Sequence, residues 1–317
     1  MASTTATGQE RAADLNVITR KQRSLWLDAG SRLIRNRAAV LGMVIILLAA
    51  LIALLAPLIA PFSPVKVDTA HNQLEPIWTG SKYTDPAYVL GTDQLGRDIL
   101  SRLMWAGRVS MVVGFIPTSI VFLIGIVVGL TSGYFGGWID QILMRVTDIV
   151  WAFPDFLFVL IIVASFRGSA FGDLLGGLVL IFAAFAVVGW IGIARLTRGQ
   201  VLALKEREYV EAARAMGATP ARIMRKHLLP NALAPLIVTA AFAVPGAIIG
   251  EATLSFLGVG IKPPTPSWGA MINEGFIGFS ANPWAVMLPA LCISVVMLAF
   301  TFVGDGLRDA LDPRMKL

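Results

Sequence analysis

Few side chains in this sequence are of a type that does covalent or metal chemistry. Two histidines, His71 and His227, and one cysteine, Cys292, are the whole supply of imidazole and thiol. They are scattered along the chain, and Cys292 sits inside an apolar run. A single cysteine excludes an intrachain disulfide and a thiolate metal cluster. No His-Glu-x-x-His or Gly-x-Ser-x-Gly is present, so the usual metalloprotease and nucleophile-elbow signatures are missing. A phosphate-cradling Gly-x-x-x-x-Gly-Lys-Ser/Thr is missing too; the nearest grouping of glycine and lysine is "GVGIKPPT". The chain therefore has no motif for hydrolysing ATP itself. Two features remain. One is Glu251 in "GAIIGEATLSF", a carboxylate in an apolar run, which is costly there and faces a cavity or a partner. It reads either as a pathway-lining or gating residue, or as a carboxyl paired with an arginine or a backbone donor on a neighbouring helix. The other is the charged run "EYVEAARAMGATPARIMRKHLLP" at 208–230.

The elements that must position these residues are set by hydrophobicity. Of 317 residues 56% are hydrophobic and only 15% charged, far from the balance of a soluble domain. This is the composition of a membrane protein. Apolar runs long enough to span fall at about 38–60, 109–130, 149–166, 174–194, 232–257 and 284–304. A polar tail of more than thirty residues precedes the first, and "PFSP" follows it, so it reads as a retained anchor rather than a cleaved signal. Basic residues crowd the tail before the first run (Arg11, Arg20, Lys21, Arg23, Arg32, Arg35, Arg37) and the loop between the fourth and fifth (Arg195, Arg198, Lys205, Arg207, Arg214, Arg222, Arg225, Lys226). The positive-inside rule puts both in the cytoplasm, and six spans bring the carboxyl end, with Arg308, Arg314 and Lys316, to the same side. Lys66, Lys82, Arg97, Arg102 and Arg108 lie in the first outer loop, which is long enough for the rule to weaken. His71 and His227 then fall on opposite faces of the membrane. The net charge of +6 belongs to cytoplasmic loops; no interleaving of aromatic and basic residues on a polar face supports a nucleic-acid partner.

Within the charged run, a helix over 205–216 puts Tyr209, Ala212, Ala213 and Met216 on one face, with Lys205, Glu208, Glu211 and Arg214 elsewhere. Alanines on a contact face permit close approach of a partner. Gly217 suits the left-handed turn that ends a helix, and Thr219-Pro220 is an N-cap followed by proline at the first helical position. The second helix, about 220–229, puts Ile223, Met224, His227 and Leu228 on one side and Arg222, Arg225 and Lys226 on the other, before Pro230 and Pro235 open the fifth span. The pattern fits a helical elbow that transmits force to a soluble partner. It also fits an amphipathic loop lying on the membrane surface.

"EAARAMG" followed at a fixed interval by "LLP" resembles the EAA loop of ABC importer permeases. Further motifs stand in order: "RNRAAVLGMVIILLAALIALLAP" from Arg35, "LGTDQLGRDILSRLMWAGRVSMVVG" from Leu90, "LSFLGVGIKPPTPSWGAMI" from Leu254 and "GDGLRDALDPR" from Gly304. Together they are similar to the second permease subunit of dipeptide, oligopeptide and nickel importers. The resemblance implies an all-α polytopic protein with the type I ABC importer permease fold, in a bacterial inner membrane. It implies a heterodimer with a homologous second permease, two cytosolic ATPase subunits that bind the ATP, an extracytoplasmic substrate-binding protein, and no catalysis or cofactor in this chain. Glu208, Glu211, Ala212, Ala213, Gly217 and Pro230 are the expected ATPase-coupling residues, within a loop at 195–230. The implied segmentation is a tail at 1–37, the first span at 38–60, an external segment at 61–106, the permease core at 107–305 and a tail at 306–317.

Four further expectations concern the surroundings. An amphipathic helix over 94–105 sets Leu95, Ile99, Leu103 and Met104 against Arg97, Asp98 and Arg102, resting on the outer interface or packed. Trp268, in the proline-stiffened "KPPTPSWG", is a candidate contact for a docked binding protein. Asp148 and Asp155, flanking "IVWAFP", read as interfacial, and prolines 117, 154, 235, 245 and 289 as bends in or beside spans. About thirty residues at the start read as poorly ordered. The rival function is an ion-coupled secondary transporter with Glu251 as proton carrier, which leaves the elbow without a purpose; a non-transporting membrane scaffold is disfavoured by so many glycine and proline interruptions.

Overall fold

A computed structural model of the chain describes residues 25–312. Among these the regular structure is helical, with one isolated bridge between Thr92 and Asp98. Helix α1 (Leu25–Arg35) falls partly where the sequence suggested disorder; residues 1–24, with Arg11, Arg20, Lys21 and Arg23, lie outside the described residues. It packs on the last helix, with Leu33 against Gly306. Asn36 then turns the chain: its side-chain oxygen accepts from the Ala38 and Ala39 N–H groups at 3.1 and 3.2 Å, capping α2 (Arg37–Ile59).

An outer segment leads to α3 (Ile99–Phe135), capped by Asp98, whose carboxylate accepts from Ser101 N–H at 2.7 Å. Here two expectations are corrected. The helix expected at 94–105 begins only at Ile99 and continues as α3, a single rod of 37 residues. Its charged side is buried along with Ile99 and Leu103. Arg97, Arg102, Asp98 and Asp93 are all under one tenth exposed; the two arginines find their counterions in Asp93 and Glu274.

Next come α4 (Gly137–Trp151) and α5 (Asp155–Phe166), bent by 78° about 152–154. The apolar run read at 149–166 is thus not one straight helix: it holds the end of α4, the bend and α5. Pro154 offers no N–H to continue the ladder, and its ring disfavours helical torsions at Phe153. Of the five prolines singled out above, Pro154 alone marks a break; Pro117, Pro235, Pro245 and Pro289 lie inside continuous helices. Helices α6 (Leu178–Val188) and α7 (Trp190–Leu204) make the fourth pass. The elbow follows: α8 (Glu208–Ala215), α9 (Pro220–Ile223) and a π-turn (Met224–Leu228) leading into α10 (Leu229–Phe256). Helix α11 (Trp268–Ile277) lies between α10 and α12 (Trp284–Leu311). Because α12 runs to Leu311, the tail expected from 306 is helix for its first turn and more; Arg314 and Lys316 lie outside the described residues. Among the described residues five helical stretches are long and apolar enough to cross a membrane, six if the bent pair α4–α5 is taken as one broken span.

Helix α3 is the centre of the bundle, touching α2, α6, α7 and α10. Its closest neighbour is α7, and glycine makes that approach possible. A Cβ at Gly125, Gly129 or Gly133 would come within 2.6 Å of Ile193, 2.5 Å of the Ala194 carbonyl and 2.8 Å of Val201 respectively. Small residues every fourth position let two backbones approach where lipid gives no hydrophobic push.

Candidate functional site

The elbow is built by a local code. Helix α8 ends in a Schellman motif: Gly217 takes φ +77°, its N–H donates to Arg214 O at 3.0 Å, and Ala218 N–H donates to Ala213 O at 3.0 Å. Thr219 then caps α9 with Pro220 at its first position. The reversal predicted from "GATP" is formed. The second helix does not stop at Pro230, however; α9, the π-turn and α10 are continuous. Pro230 cannot donate to the preceding turn, and the π-turn absorbs this: Leu229 N–H donates to Met224 O and Asn231 Nδ2 donates to His227 O at 2.6 Å.

Packing divides the elbow into two faces. Val210, Ile223 and Leu228 are buried together with Leu130 and Val201 of the bundle, and Ala213 is buried as well. Ala213, expected beside Tyr209, Ala212 and Met216 on a contact face, is instead buried, at 2% exposed. Helical periodicity groups these four, but Ala213 lies at the edge of that group, one turn from the buried Val210. Tyr209, Ala212 and Met216 are exposed, Met216 at 82%. Glu208 and Glu211 are exposed as well, and neither forms an ion pair among the described residues, although Arg207 and Arg214 stand at helical spacing from Glu211. Arg222, Arg225 and Lys226 are exposed on the adjoining turn, as their side of the helix requires. The result is a rigid projection with an apolar tip, two free carboxylates and a basic flank.

Glu251 is placed elsewhere. Its side chain is fully buried, and Oε1 accepts from Ser255 Oγ at 2.6 Å and from Ser267 Oγ at 2.7 Å. Ser110 faces the same carboxyl without closing a hydrogen bond to Oε2. Serines, not an arginine or a backbone donor, are its partners. Ser267 also caps α11 through Ala270 N–H, so the cluster ties α10 to α11. Trp268 is corrected outright: at 4% exposure it is a core residue, its Nε1 donating to Leu103 O at 3.2 Å and its ring lying over Gly107. Asp148 is exposed and paired with Arg195 at 2.6 Å. Asp155 lines a cleft beside Pro117 and Gly189.

Sequence reasoning also missed a cluster that pins the outer segment. Asp93 accepts from Arg97 Nε at 2.7 Å and from Arg102; Arg102 Nη2 donates to Glu274 Oε2 at 2.7 Å, and Gln94 Nε2 donates to Glu274 O at 2.7 Å. The only signal in the sequence was a set of charges on a helix that otherwise reads as amphipathic.

Residues 125–317 match the family model described as binding-protein-dependent transport system inner membrane component, and residues 24–76 that of the N-terminal TM domain of oligopeptide transport permease C. The chain belongs to the binding-protein-dependent inner-membrane transport components. The family match covers α4 to α12, the elbow included, and the second match takes in α1 and α2. Among its relatives, the oligopeptide transport system permease protein OppC of Bacillus subtilis is 40% identical over 305 residues, 96% of this chain and 95% of that protein. The dipeptide transport system permease protein DppC of Haemophilus influenzae is 43% identical over 282 residues, covering 89% and 92%. A chain of the inward-facing MetNI methionine ABC transporter aligns with a TM-score of 0.48 and 22% identity, over 68% of this chain and 98% of that one.

Proposed function

We propose that this chain is one half of the translocation pathway of an ATP-driven importer of di- or oligopeptides. It pairs with a homologous second permease, and two cytosolic ATPase subunits bind the ATP and dock on the elbow. An extracytoplasmic binding protein delivers the cargo. The observation that carries the reading is the elbow. A projection held to the bundle by Val210, Ile223 and Leu228, yet leaving Tyr209, Glu208, Glu211, Ala212 and Met216 uncovered, is shaped to be pushed. Closure of an ATPase dimer displaces α8 and α9 as a body, and the continuous rod from Pro220 to Phe256 carries that displacement into the membrane. Binding of ATP and of cargo are then coupled reciprocally. Relatives named for oligopeptide and dipeptide transport support the cargo class. Sealed under Ser255 and Ser267, Glu251 suits a strut between α10 and α11 better than a proton carrier.

The test is uptake of a radiolabelled dipeptide into proteoliposomes by the complete complex. Uptake is expected to require ATP, to be absent with the single chain, and to keep its ATP dependence in Glu251→Gln, whose amide oxygen retains both serine hydrogen bonds. Uptake by the single chain driven by a proton gradient alone sinks the reading.

A further inference from the structure

The broken third pass carries three acidic residues, and two of them are neutralised. Asp140 receives Arg198 through Nε and Nη2, both at 2.6 Å, and Asp148 receives Arg195 at 2.6 Å. Both arginines come from α7. Asp155, the first residue of α5, has neither an ion pair nor a side-chain hydrogen bond among the described residues, and its side chain is exposed. Its neighbours show where it stands. It lines a cleft of about 340 Å³ with Pro117, Gly189 and Ala243. These three lie inside the apolar runs 109–130, 174–194 and 232–257, so the carboxylate stands within the membrane-crossing part of the bundle. An exposed charge at that depth is not tolerated against lipid; such groups face a water-filled path or a partner. The dipole of α5 steadies the anion but supplies no counterion.

We propose that Asp155 is a cargo-recognition residue of the translocation pathway, binding the ammonium group of a peptide as it crosses the membrane. This rests on the peptide-importer reading above. The chemistry selects the ligand. A lone carboxylate in a wall otherwise made of Pro117, Thr118, Phe156, Phe185 and small residues matches one positive charge on an organic body. Thr118 already spends its hydroxyl hydrogen on Gly114 O, so the carboxylate is the strongest acceptor in the cleft. The break at 152–154 is what makes this possible: it turns α5 so that its first residue, not its lipid-facing side, enters the cleft.

The test uses the complete complex in proteoliposomes with dialanine as probe. Asp155→Asn is expected to lower dialanine uptake about tenfold, the loss of one charge-assisted hydrogen bond, with ATPase attachment unchanged. Asp155→Glu is expected to stay close to wild type. In a Cys292→Ser background, Asp155→Cys should regain uptake after the anionic reagent sulfonatoethyl methanethiosulfonate and not after its trimethylammonium counterpart. Wild-type uptake by Asp155→Asn, or equal uptake after the two reagents, overturns the assignment. A wild-type complex that hydrolyses ATP but takes up no dialanine defeats the cargo reading. A cysteine at 155 that reacts with neither reagent defeats the site whatever the cargo.

Discussion

Arg102 and Glu274 are 172 residues apart in sequence and meet at 2.7 Å, joining the first turn of α3 to α11. Arg102 is almost wholly buried and also holds Asp93, so one guanidinium ties the end of the outer segment to two helices. Removing one member of a buried ion network leaves the other charges uncompensated and costs about 3–5 kcal/mol. Arg102→Ala is expected to lower the melting temperature of the purified chain clearly and to open residues 61–98 to protease. An unchanged digestion pattern would show that the outer segment is held by other contacts.

Gly217→Val is expected to leave the chain inserted in the membrane and to weaken ATPase attachment. A Cβ at Gly217 meets nothing within 4 Å, so the penalty is one of torsion rather than collision. At φ +77° that penalty is about 1–2 kcal/mol, larger for a β-branched residue, and it misdirects α9. Co-purification of the ATPase with the variant permease reads the effect directly.

Two adjacent alanines are expected to fail differently. Ala213→Trp forces an indole into a buried position of α8, at a cost of at least about 1–3 kcal/mol, and should expose the elbow to protease. Ala212→Trp points outward and should leave the digestion pattern intact while reducing ATPase co-purification. If both variants are equally protease-sensitive, the two faces have been misassigned.

Acidification is expected to loosen the junction between Asp173 and Lys262. Asp173 accepts from Lys262, and that hydrogen bond, with help from Gly168 N–H, holds its carboxyl below the usual aspartate range. A carboxyl with a lowered folded pKa stabilises the fold above its unfolded value and loses that contribution as pH falls through the folded one. Hydrogen exchange across 168–177 should therefore quicken as pH drops below the ordinary aspartate range, after correction for intrinsic rates. Lys262→Met should remove that dependence; a persistent pH response would place its origin elsewhere.

The elbow was legible in the sequence because its signals are local. Gly217, Thr219 and Pro220 each satisfy a conformational demand within four residues, and apolar run length does the same for the spans. What sequence could not supply was the identity of distant neighbours. Arg97 and Arg102 look solvated until Asp93 and Glu274 are seen beside them, and Trp268 looks interfacial until Gly107 makes room for its ring. Ala213 was grouped with the right helix but the wrong face, since periodicity defines a stripe and only packing decides which edge is covered. The break before Asp155 carried a signal in Pro154, but run length alone masked it by counting α5 and part of α4 as one straight span.

The central claim is that the elbow is the ATPase contact, and the most direct measurement is photocrosslinking from its tip. With a benzophenone amino acid in place of Met216, 82% exposed, the assembled complex should yield a crosslink from this chain to an ATPase subunit on irradiation. The yield should change when ATP is bound without hydrolysis. Crosslinks to lipid alone, from a complex that still retains its ATPase and transports, would contradict the account and leave the elbow as a helix lying on the membrane surface.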